Sequence, residues 1–263
     1  MQDMDGRRAV VTGSATGLGR SMAVKLAERG ASVVVNYSRS GAEAEETADL
    51  CRAAGVDVTV VKADVSQPGG CRALAEAAGE RIDILMNNAG RTWGAPLGQH
   101  PYEAWDKLLR LNVTGMFHLT QSLLPLMLKA STPGDPARVV NVGSVMGEIP
   151  KGTATYSYAV SKGAVHHMTR VLSNDLAPQG ITVNAIAPGP FVSNMTAFAI
   201  GTEEGQERSA KGIPLGRVGC PEDIAGTLQY LCGKGGAYVS GAVLPLSGGL
   251  QSHAPANLFN EEL

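Results

Sequence analysis

The chain lacks an excess of charge of either sign and lacks long apolar runs. Its 22 Lys and Arg residues nearly balance its 24 Asp and Glu residues among 263 in total, and no basic cluster stands out. We therefore expect no nucleic-acid partner. No apolar run reaches the length of a transmembrane helix, and the polar stretch 1–6 has none of the apolar character of a signal peptide. We expect a cytoplasmic protein without membrane contact.

Cysteine is scarce, and the four cysteines form no CxxC pair. They also have no histidine at the spacing of a metal site, so we expect reduced thiols and no bound metal. The four are Cys51, Cys71, Cys220 and Cys232.

The chain has an ordinary globular composition, with 44% apolar and 17% charged residues. Strand-like apolar runs alternate with segments of helical spacing along its whole length. No linker, repeat or low-complexity segment divides it, so we expect one domain over residues 1–263. The predicted strands are 8–12, 32–36, 56–62, 82–87, 139–142, 182–186 and 243–246. The predicted helices are 17–29, 42–54, 69–78, 102–129, 158–176 and 221–231.

This alternation predicts an α/β protein of the Rossmann type. Right-handed crossovers between successive strands give a doubly wound seven-stranded parallel sheet with helices on both faces. Pro125 lies inside the predicted helix 102–129 and predicts a kink or a boundary there.

The longest irregular stretch is predicted to run from residue 188 to 214. Irregular connections of that length are usually functional, so we expect a substrate lid. Met195, Phe198 and Ile200 make it fairly apolar. The alternative is a plain surface insertion.

A glycine-rich turn connects the first strand to the first helix. Its small residues would let the backbone approach a pyrophosphate, while the helix N-terminus supplies N–H groups and a positive dipole end. The spacing is GxxxGxG rather than GxGxxG, and an ordinary tight turn is the alternative. The residues expected to bind a dinucleotide here are Gly13, Ser14, Thr16, Gly17, Leu18 and Gly19.

The end of the second strand carries no carboxylate to accept a hydrogen bond from a ribose 2′-hydroxyl. It reads Asn36, Tyr37, Ser38 and Arg39, and the Arg39 guanidinium could bind a 2′-phosphate. We therefore expect NADP(H) ahead of NAD(H), with an ordinary solvated arginine as the alternative.

Tyr158 and Lys162 are four residues apart, which places both side chains on one face of a helix. A nearby ammonium favours the phenolate and lowers the pKa of a tyrosine. Such a pair could donate or accept a proton near neutral pH. The alternative is a chance pairing.

From residue 6 to 250 the chain resembles the classical short-chain dehydrogenase/reductases. The resemblance rests on several motifs in a fixed order. They are the turn Thr12–Gly19, Asp64-Val65 after the third strand, Asn87-Asn88-Ala89-Gly90, Leu111-Asn112-Val113, Ser144, Tyr158 with Lys162, and Pro188-Gly189.

The resemblance implies roles for four catalytic residues. Tyr158 exchanges a proton with substrate, Ser144 holds the substrate oxygen, and Lys162 binds the nicotinamide ribose. Asn112 binds a water that links Lys162 to solvent. The further cofactor-binding residues that it implies are Asp64, Val65, Asn88, Ala89, Gly90, Pro188, Gly189, Phe191 and Ser193, besides Tyr158 and Lys162.

Three positions depart from the family pattern. Thr16 stands where NADP-preferring members often have a basic residue, Ser193 replaces a usual threonine, and Ser247 replaces an aspartate. The segment 251–263 extends beyond the family core, and its Leu258 and Phe259 would either contact a neighbouring subunit or fray.

The leading hypothesis is an NADPH-dependent reductase of a 3-oxoacyl thioester or a similar ketone. The segment Trp93-Gly94-Ala95 resembles a branch of β-ketoacyl reductases. The alternatives are an NAD-dependent alcohol, sugar or steroid dehydrogenase, and a cofactor-binding regulator without catalysis. The resemblance also implies a homotetramer or homodimer formed through the two long helices and the last helix and strand.

Overall fold

Seven parallel strands form one sheet in the computed structural model, which describes residues 3–150 and 154–252. Their order across the sheet is β3-β2-β1-β4-β5-β6-β7, so the winding direction reverses between β1 and β4. A ligand crevice opens at the carboxyl ends of the strands at such a switch point. The strands are β1 Arg8–Val11, β2 Ser32–Tyr37, β3 Val58–Lys62, β4 Ile84–Asn87, β5 Ala137–Val142, β6 Ile181–Pro188 and β7 Val243–Leu246.

Helices cover both faces of the sheet, and a separate apolar core lies under each layer. One core packs α1, α2 and α9 against the sheet, and the other packs α3, α5 and α6. Every residue of β4, β5 and β6 is buried, as expected when both faces of a parallel sheet are covered. The predicted fold is confirmed. The helices are α1 Gly17–Ala27, α2 Gly41–Ala53, α3 Pro68–Ala77, α4 Tyr102–Leu109, α5 Met116–Ala130, α6 Tyr156–Leu176, α7 Ala197–Ile200, α8 Glu203–Ala210 and α9 Pro221–Cys232.

The predicted helix 102–129 is interrupted, although not at its proline. The segment Arg110–Gly115 is a π-helical turn between α4 and α5, while Pro125 lies inside α5 without ending it. A π turn inserts one extra residue and often marks a functional site. Here it brings the fully buried Asn112 against the loop after β4.

The stretch 188–214, predicted to be irregular, contains the two short helices α7 and α8. The Thr202 hydroxyl caps α8 by accepting a hydrogen bond from the Gly205 N–H at 3.2 Å, and two glutamates occupy its first turn. Such short helices escape detection in the sequence because four to eight residues show too little periodicity.

No helix in the described ranges is long and apolar enough to cross a membrane. The expectation for Leu258 and Phe259 lies outside the described residues.

Candidate active site

A cleft of about 830 Å³ opens at the carboxyl ends of the strands near the switch point. Nearly all residues predicted to form the site line this cleft. They are Gly13, Thr16, Gly17, Leu18, Gly19, Asn36, Tyr37, Ser38, Arg39, Asp64, Val65, Asn88, Ala89, Gly90, Ser144, Tyr158, Lys162, Pro188, Gly189, Phe191 and Ser193. Ser14 and Asn112 lie behind its wall because both are fully buried.

The glycine-rich turn forms one wall of the cleft, and its backbone requires glycine. Gly13 and Gly17 have φ values of +60° and +58°, which side-chain-bearing residues rarely adopt. A Cβ on Gly19 would lie 2.3 Å from the Gly13 carbonyl oxygen and 2.5 Å from Asn88 Nδ2. Asn88 Nδ2 donates to the Thr12 carbonyl at 2.8 Å and so ties the turn to β4. The result is an open backbone cradle at the N-terminus of α1.

The side chains of two residues predicted to bind a cofactor brace this turn. The Ser14 hydroxyl donates to the Val11 carbonyl at 2.8 Å and accepts from the Asn36 N–H at 3.0 Å, so any cofactor contact of Ser14 would be made by its backbone and stays a prediction. The Asn36 carboxamide oxygen accepts from the Gly13 N–H at 3.2 Å, and its Nδ2 donates to the carbonyls of Val61 and Ala63. Because these bonds occupy the Asn36 amide, that side chain has little capacity left for a ribose.

Arg39 lies at the same end of the cleft and is exposed. Within residues 3–150 and 154–252 it forms no salt bridge, so its guanidinium is available to an anion.

Tyr158, Lys162 and Ser144 meet at the opposite end of the cleft. Tyr158 and Lys162 lie one turn apart on α6, and Ser144 follows β5. The Lys162 ammonium donates to the Val142 carbonyl at 2.7 Å and lies 5.7 Å from the centre of the Tyr158 ring. The geometry places a hydroxyl, a phenol and an ammonium around one point, as proton transfer to a carbonyl oxygen requires.

The pKa of Tyr158 is shifted opposite to the direction predicted from the sequence. Burial raises the pKa of the phenol, and the hydrogen bond with Ser144 offsets this only in part. The net shift is therefore upward and not downward as predicted, because burial opposes the phenolate more strongly than the groups around it favour it. Burial lowers the pKa of Lys162 to about 8, so the ammonium is still mostly charged at pH 7.

Asn112 acts as a brace between three segments. Its side chain accepts from the Arg91 N–H, donates to the Arg91 carbonyl and donates to Ser161 Oγ, each at 3.0 Å. These bonds tie the loop after β4 to α6, which carries the tyrosine and lysine. The predicted water linking Lys162 to solvent remains a prediction.

The sequence reasoning overlooked His166, which lies one further turn along α6 from Lys162. Its imidazole is buried, and its Nε2 lies 3.4 Å from the Ser144 N–H. Burial lowers the pKa of His166 to about 4, and the charges of Lys162 and Arg170 contribute. The only signal in the sequence was the spacing of four residues from Lys162, which is equally typical of a core position.

We expect His166 to make folding sensitive to acid. Its pKa is about 4 in the folded state and about 6.5 in an unfolded chain, so the unfolded chain binds more protons between these values. Stability is therefore lost as the pH falls from 6.5 to 4, by about 2 kcal/mol between pH 7 and pH 5. Urea unfolding at both pH values should show a smaller loss for His166→Gln, whereas the exposed neighbour control His167→Gln should match the wild type. Equal losses in all three proteins would contradict the assignment.

Among the described residues, no group of three or more His, Cys, Asp or Glu side chains is arranged to hold a metal ion. The cleft wall formed by α4 was also missed from the sequence. It contributes Glu103, Asp106 and Lys107, and Arg110 of the following π turn lies beside them.

Comparison with known proteins identifies the family. A family model described as Enoyl-(Acyl carrier protein) reductase matches residues 13–251. The rhamnolipid-biosynthesis 3-oxoacyl-[acyl-carrier-protein] reductase of Pseudomonas aeruginosa is 42% identical over 247 residues, which cover 93% of this chain and 96% of that protein.

Solved structures agree with this result. The Pseudomonas aeruginosa RhlG/NADP active-site complex has a TM-score of 0.90 at 41% identity, covering 95% of this chain and 98% of that one. A gluconate 5-dehydrogenase from Burkholderia cenocepacia J2315, in complex with NADP and tartrate, has a TM-score of 0.86 at 32% identity, with 96% and 99% covered. From its sheet order, its cleft and these relatives, the chain belongs to the classical short-chain dehydrogenase/reductase family and is an NAD(P)-dependent oxidoreductase.

Proposed function

We propose that this enzyme uses NADPH to reduce a ketone, such as a 3-oxoacyl thioester, to a secondary alcohol. The observation that carries the proposal is that the Ser144 hydroxyl, the Tyr158 phenol and the Lys162 ammonium line one cleft together. Burial raises the pKa of Tyr158, so the phenol keeps its proton at neutral pH, as an unperturbed tyrosine also does. Reduction needs a proton donor at the carbonyl oxygen, whereas alcohol oxidation needs a base.

Several features of the cleft support a dinucleotide cofactor with a 2′-phosphate. Gly13, Gly17 and Gly19 form a turn packed so closely that a Cβ on Gly19 would clash with the Gly13 carbonyl oxygen, and such a turn at a helix N-terminus suits a pyrophosphate. The exposed guanidinium of Arg39 would bind the 2′-phosphate, and Asp64 and Val65 would flank the adenine. Lys162 would hold the nicotinamide ribose, near Pro188, Gly189 and Ser193. When bound, the reduced nicotinamide supplies the hydride.

The residues of the chain complete the reduction by managing one proton. The carbonyl carbon takes up a hydride while its oxygen takes the phenol proton of Tyr158, so the C=O bond becomes CH–OH. Ser144 donates a hydrogen bond to that oxygen as negative charge develops on it. The Lys162 ammonium stabilises the phenolate that Tyr158 leaves behind.

The substrate end of the cleft favours an acyl chain. Met195 lines the cleft, and Phe198 on α7 is 89% exposed, so the segment 188–214 offers apolar surface as a lid. The Ala95 N–H donates to the Ala154 carbonyl at 2.8 Å, which ties the Trp93-Gly94-Ala95 segment to the start of α6. The acyl-carrier substrate in the name of the Pseudomonas relative supports the same choice.

Oxidation of a sugar acid is the second candidate, supported by the likeness to a gluconate 5-dehydrogenase. A substrate panel followed by nicotinamide absorbance separates the two candidate functions. It contains 3-oxoacyl-CoA esters with NADPH, and gluconate and simple alcohols with NADP⁺ and NAD⁺. We expect kcat/KM for acetoacetyl-CoA and longer 3-oxoacyl esters to exceed that for gluconate. The reverse order would overturn the acyl assignment.

Arg39 provides the test of cofactor preference. We expect Arg39→Ala to weaken NADPH binding about tenfold, because a charge-assisted bond to the 2′-phosphate is lost at an exposed site, and to leave NADH binding unchanged. The matched control is Arg52→Ala on α2, an exposed arginine outside the cleft. Fluorescence titration gives both dissociation constants. Tighter binding of NADH than of NADPH by the wild type would contradict the preference.

Apolar side chains on the outer faces of the long helices support a homotetramer or homodimer. Phe117 on α5 and Val160 on α6 are 40% and 53% exposed, and Tyr238 near β7 is fully exposed. Exposed apolar surface of this kind is typical of subunit contacts.

The cytoplasmic assignment rests on the cysteines, all four of which lie in described segments and are unpaired.

A further inference from the structure

We propose that His166 is a positioning residue that fixes the turn carrying Ser144. Tyr158, Lys162 and His166 follow one another at intervals of four residues along one face of α6. The first two provide the proton chemistry, and the third reaches the backbone of the remaining catalytic residue. The inference rests on the proposed function, because the placement of Ser144 matters only where its hydroxyl binds the substrate oxygen.

The turn after β5 is shaped around the imidazole. A Cβ on Gly143 would lie 2.2 Å from His166 Nε2, and a Cβ on Gly147 would lie 2.8 Å from His166 Cε1. Glycines on both sides of Ser144 therefore admit a ring that larger residues would displace. With the ring in this niche, the Ser144 N–H points at Nε2 from 3.4 Å.

The contacts of the ring define its tautomer. Because the Ser144 N–H donates to Nε2, that nitrogen is the acceptor and the proton resides on Nδ1. Nδ1 faces the Glu148 carboxylate at 3.7 Å, from the same turn. Lys162 and Arg170, on the helix of His166 itself, oppose a second proton on the ring. Neutral His166 thus accepts from Ser144 and turns its Nδ1–H toward the Glu148 carboxylate, which lies beyond hydrogen-bond distance.

By fixing the backbone of Ser144, His166 also fixes the direction in which the Ser144 hydroxyl points. Ser144 is extended, with φ −168° and ψ 150°, and its Oγ accepts from the Met146 N–H at 3.2 Å. The same hydroxyl lies close enough to Tyr158 to lower the pKa of its phenol, so a rotation of this turn would separate the two groups that meet the substrate oxygen. An error of about 1 Å in such an arrangement can cost about a hundredfold in rate.

The test replaces the imidazole with a side chain that has no acceptor and with one that keeps an acceptor. We expect His166→Leu to lower kcat for ketone reduction by about 10- to 100-fold while the Kd for NADPH stays within about twofold. His166→Gln, whose amide oxygen can accept from the Ser144 N–H, should stay within about threefold of the wild type. The control His167→Leu changes the exposed neighbour and should leave kcat unchanged. Wild-type kcat in His166→Leu would overturn the proposal.

A double-mutant cycle separates this inference from the proposed function. In a Ser144→Ala background, His166→Leu should cost less than about threefold, because no hydroxyl remains to be positioned. If Ser144→Ala itself retains kcat, the proposed site fails. If Ser144→Ala loses activity and His166→Leu costs the same in both backgrounds, the positioning role alone fails.

If His166→Leu does not fold, variants of Glu148 provide a second test. Glu148→Ala leaves the core intact but removes the acceptor oxygen that lies 3.7 Å from Nδ1 and favours a proton there, so we expect kcat to fall about threefold or more. Glu148→Gln keeps an acceptor oxygen and should match the wild type. Equal kcat in Glu148→Ala and Glu148→Gln would contradict the proposed tautomer.

Discussion

Replacing Tyr158 with phenylalanine should lower kcat for ketone reduction by about 10²- to 10⁴-fold, the usual contribution of a general acid. The phenol carries a transferable proton at neutral pH, as tyrosines do, and burial raises its pKa further. Phenylalanine keeps the ring and its packing, so NADPH binding and the thermal midpoint should change little. Stopped-flow absorbance of the nicotinamide, with binding measured separately by fluorescence, distinguishes the two effects.

A neighbouring tyrosine offers a matched control. Tyr156 precedes Tyr158 by two residues on α6 and is 40% exposed, so Tyr156→Phe should retain turnover. The reverse reaction adds a second check on Tyr158. Alcohol oxidation requires the phenolate, so its rate should rise with pH over the range in which the rate of reduction stays level or falls. Full turnover by Tyr158→Phe would move the chemistry to another site or favour the non-catalytic alternative.

Lys162→Met should abolish activity without weakening the fold. The ammonium stabilises the phenolate of Tyr158 and is proposed to hold the nicotinamide ribose, so we expect kcat/KM to fall by at least about 100-fold. The burial of the Lys162 ammonium lowers the stability of the fold, since the pKa of Lys162 falls to about 8 against about 10.4 for a free lysine. That difference corresponds to about 3 kcal/mol at pH 7, against about 1 kcal/mol for the lost bond to the Val142 carbonyl.

The pH dependence of stability tests this account of Lys162. The unfolded chain binds more protons than the folded one between pH 8 and pH 10.4, so the wild type gains stability as the pH rises through that window. Urea unfolding at pH 7 and pH 10 should show the gain in the wild type and a smaller one in Lys162→Met. Lys25→Met, which removes a lysine ion-paired with Glu28 on the surface, is the control. If Lys162→Met were clearly less stable than the wild type at pH 7, the conclusion that the buried ammonium destabilises the fold would be contradicted.

The sequence predicted the sheet well because its signals are local. Strands such as β4 and β6 are buried on both faces, and an unbroken apolar run of that kind is visible without neighbours. The predicted strand boundaries were less accurate. β5 begins at Ala137 and not at residue 139, because its first residues are held in the strand by pairing with β6. The short helices α7 and α8 and the π turn Arg110–Gly115 were missed, since tertiary contacts stabilise them.

The membership of the cleft was also largely predictable, and the contacts of individual side chains were not. Glycine positions and the four-residue spacing of Tyr158 and Lys162 follow from backbone geometry, which the sequence encodes directly. Ser14 was assigned to the cofactor with the small residues of the turn, and Asn36 because it lies at the end of the second strand. The structure adds that their side chains hydrogen-bond buried backbone groups, while their contact with a cofactor stays a prediction.

What the sequence alone determined is the order of strands and helices along the chain and the residue types at the ends of the strands. Only the tertiary structure decided the pKa values of those residues. A pKa depends on desolvation and on charges brought together from distant segments, so burial raised the pKa of Tyr158 and lowered that of Lys162 to about 8. The same packing brought His166 against Ser144, 22 residues away along the chain, in a niche made by two glycines.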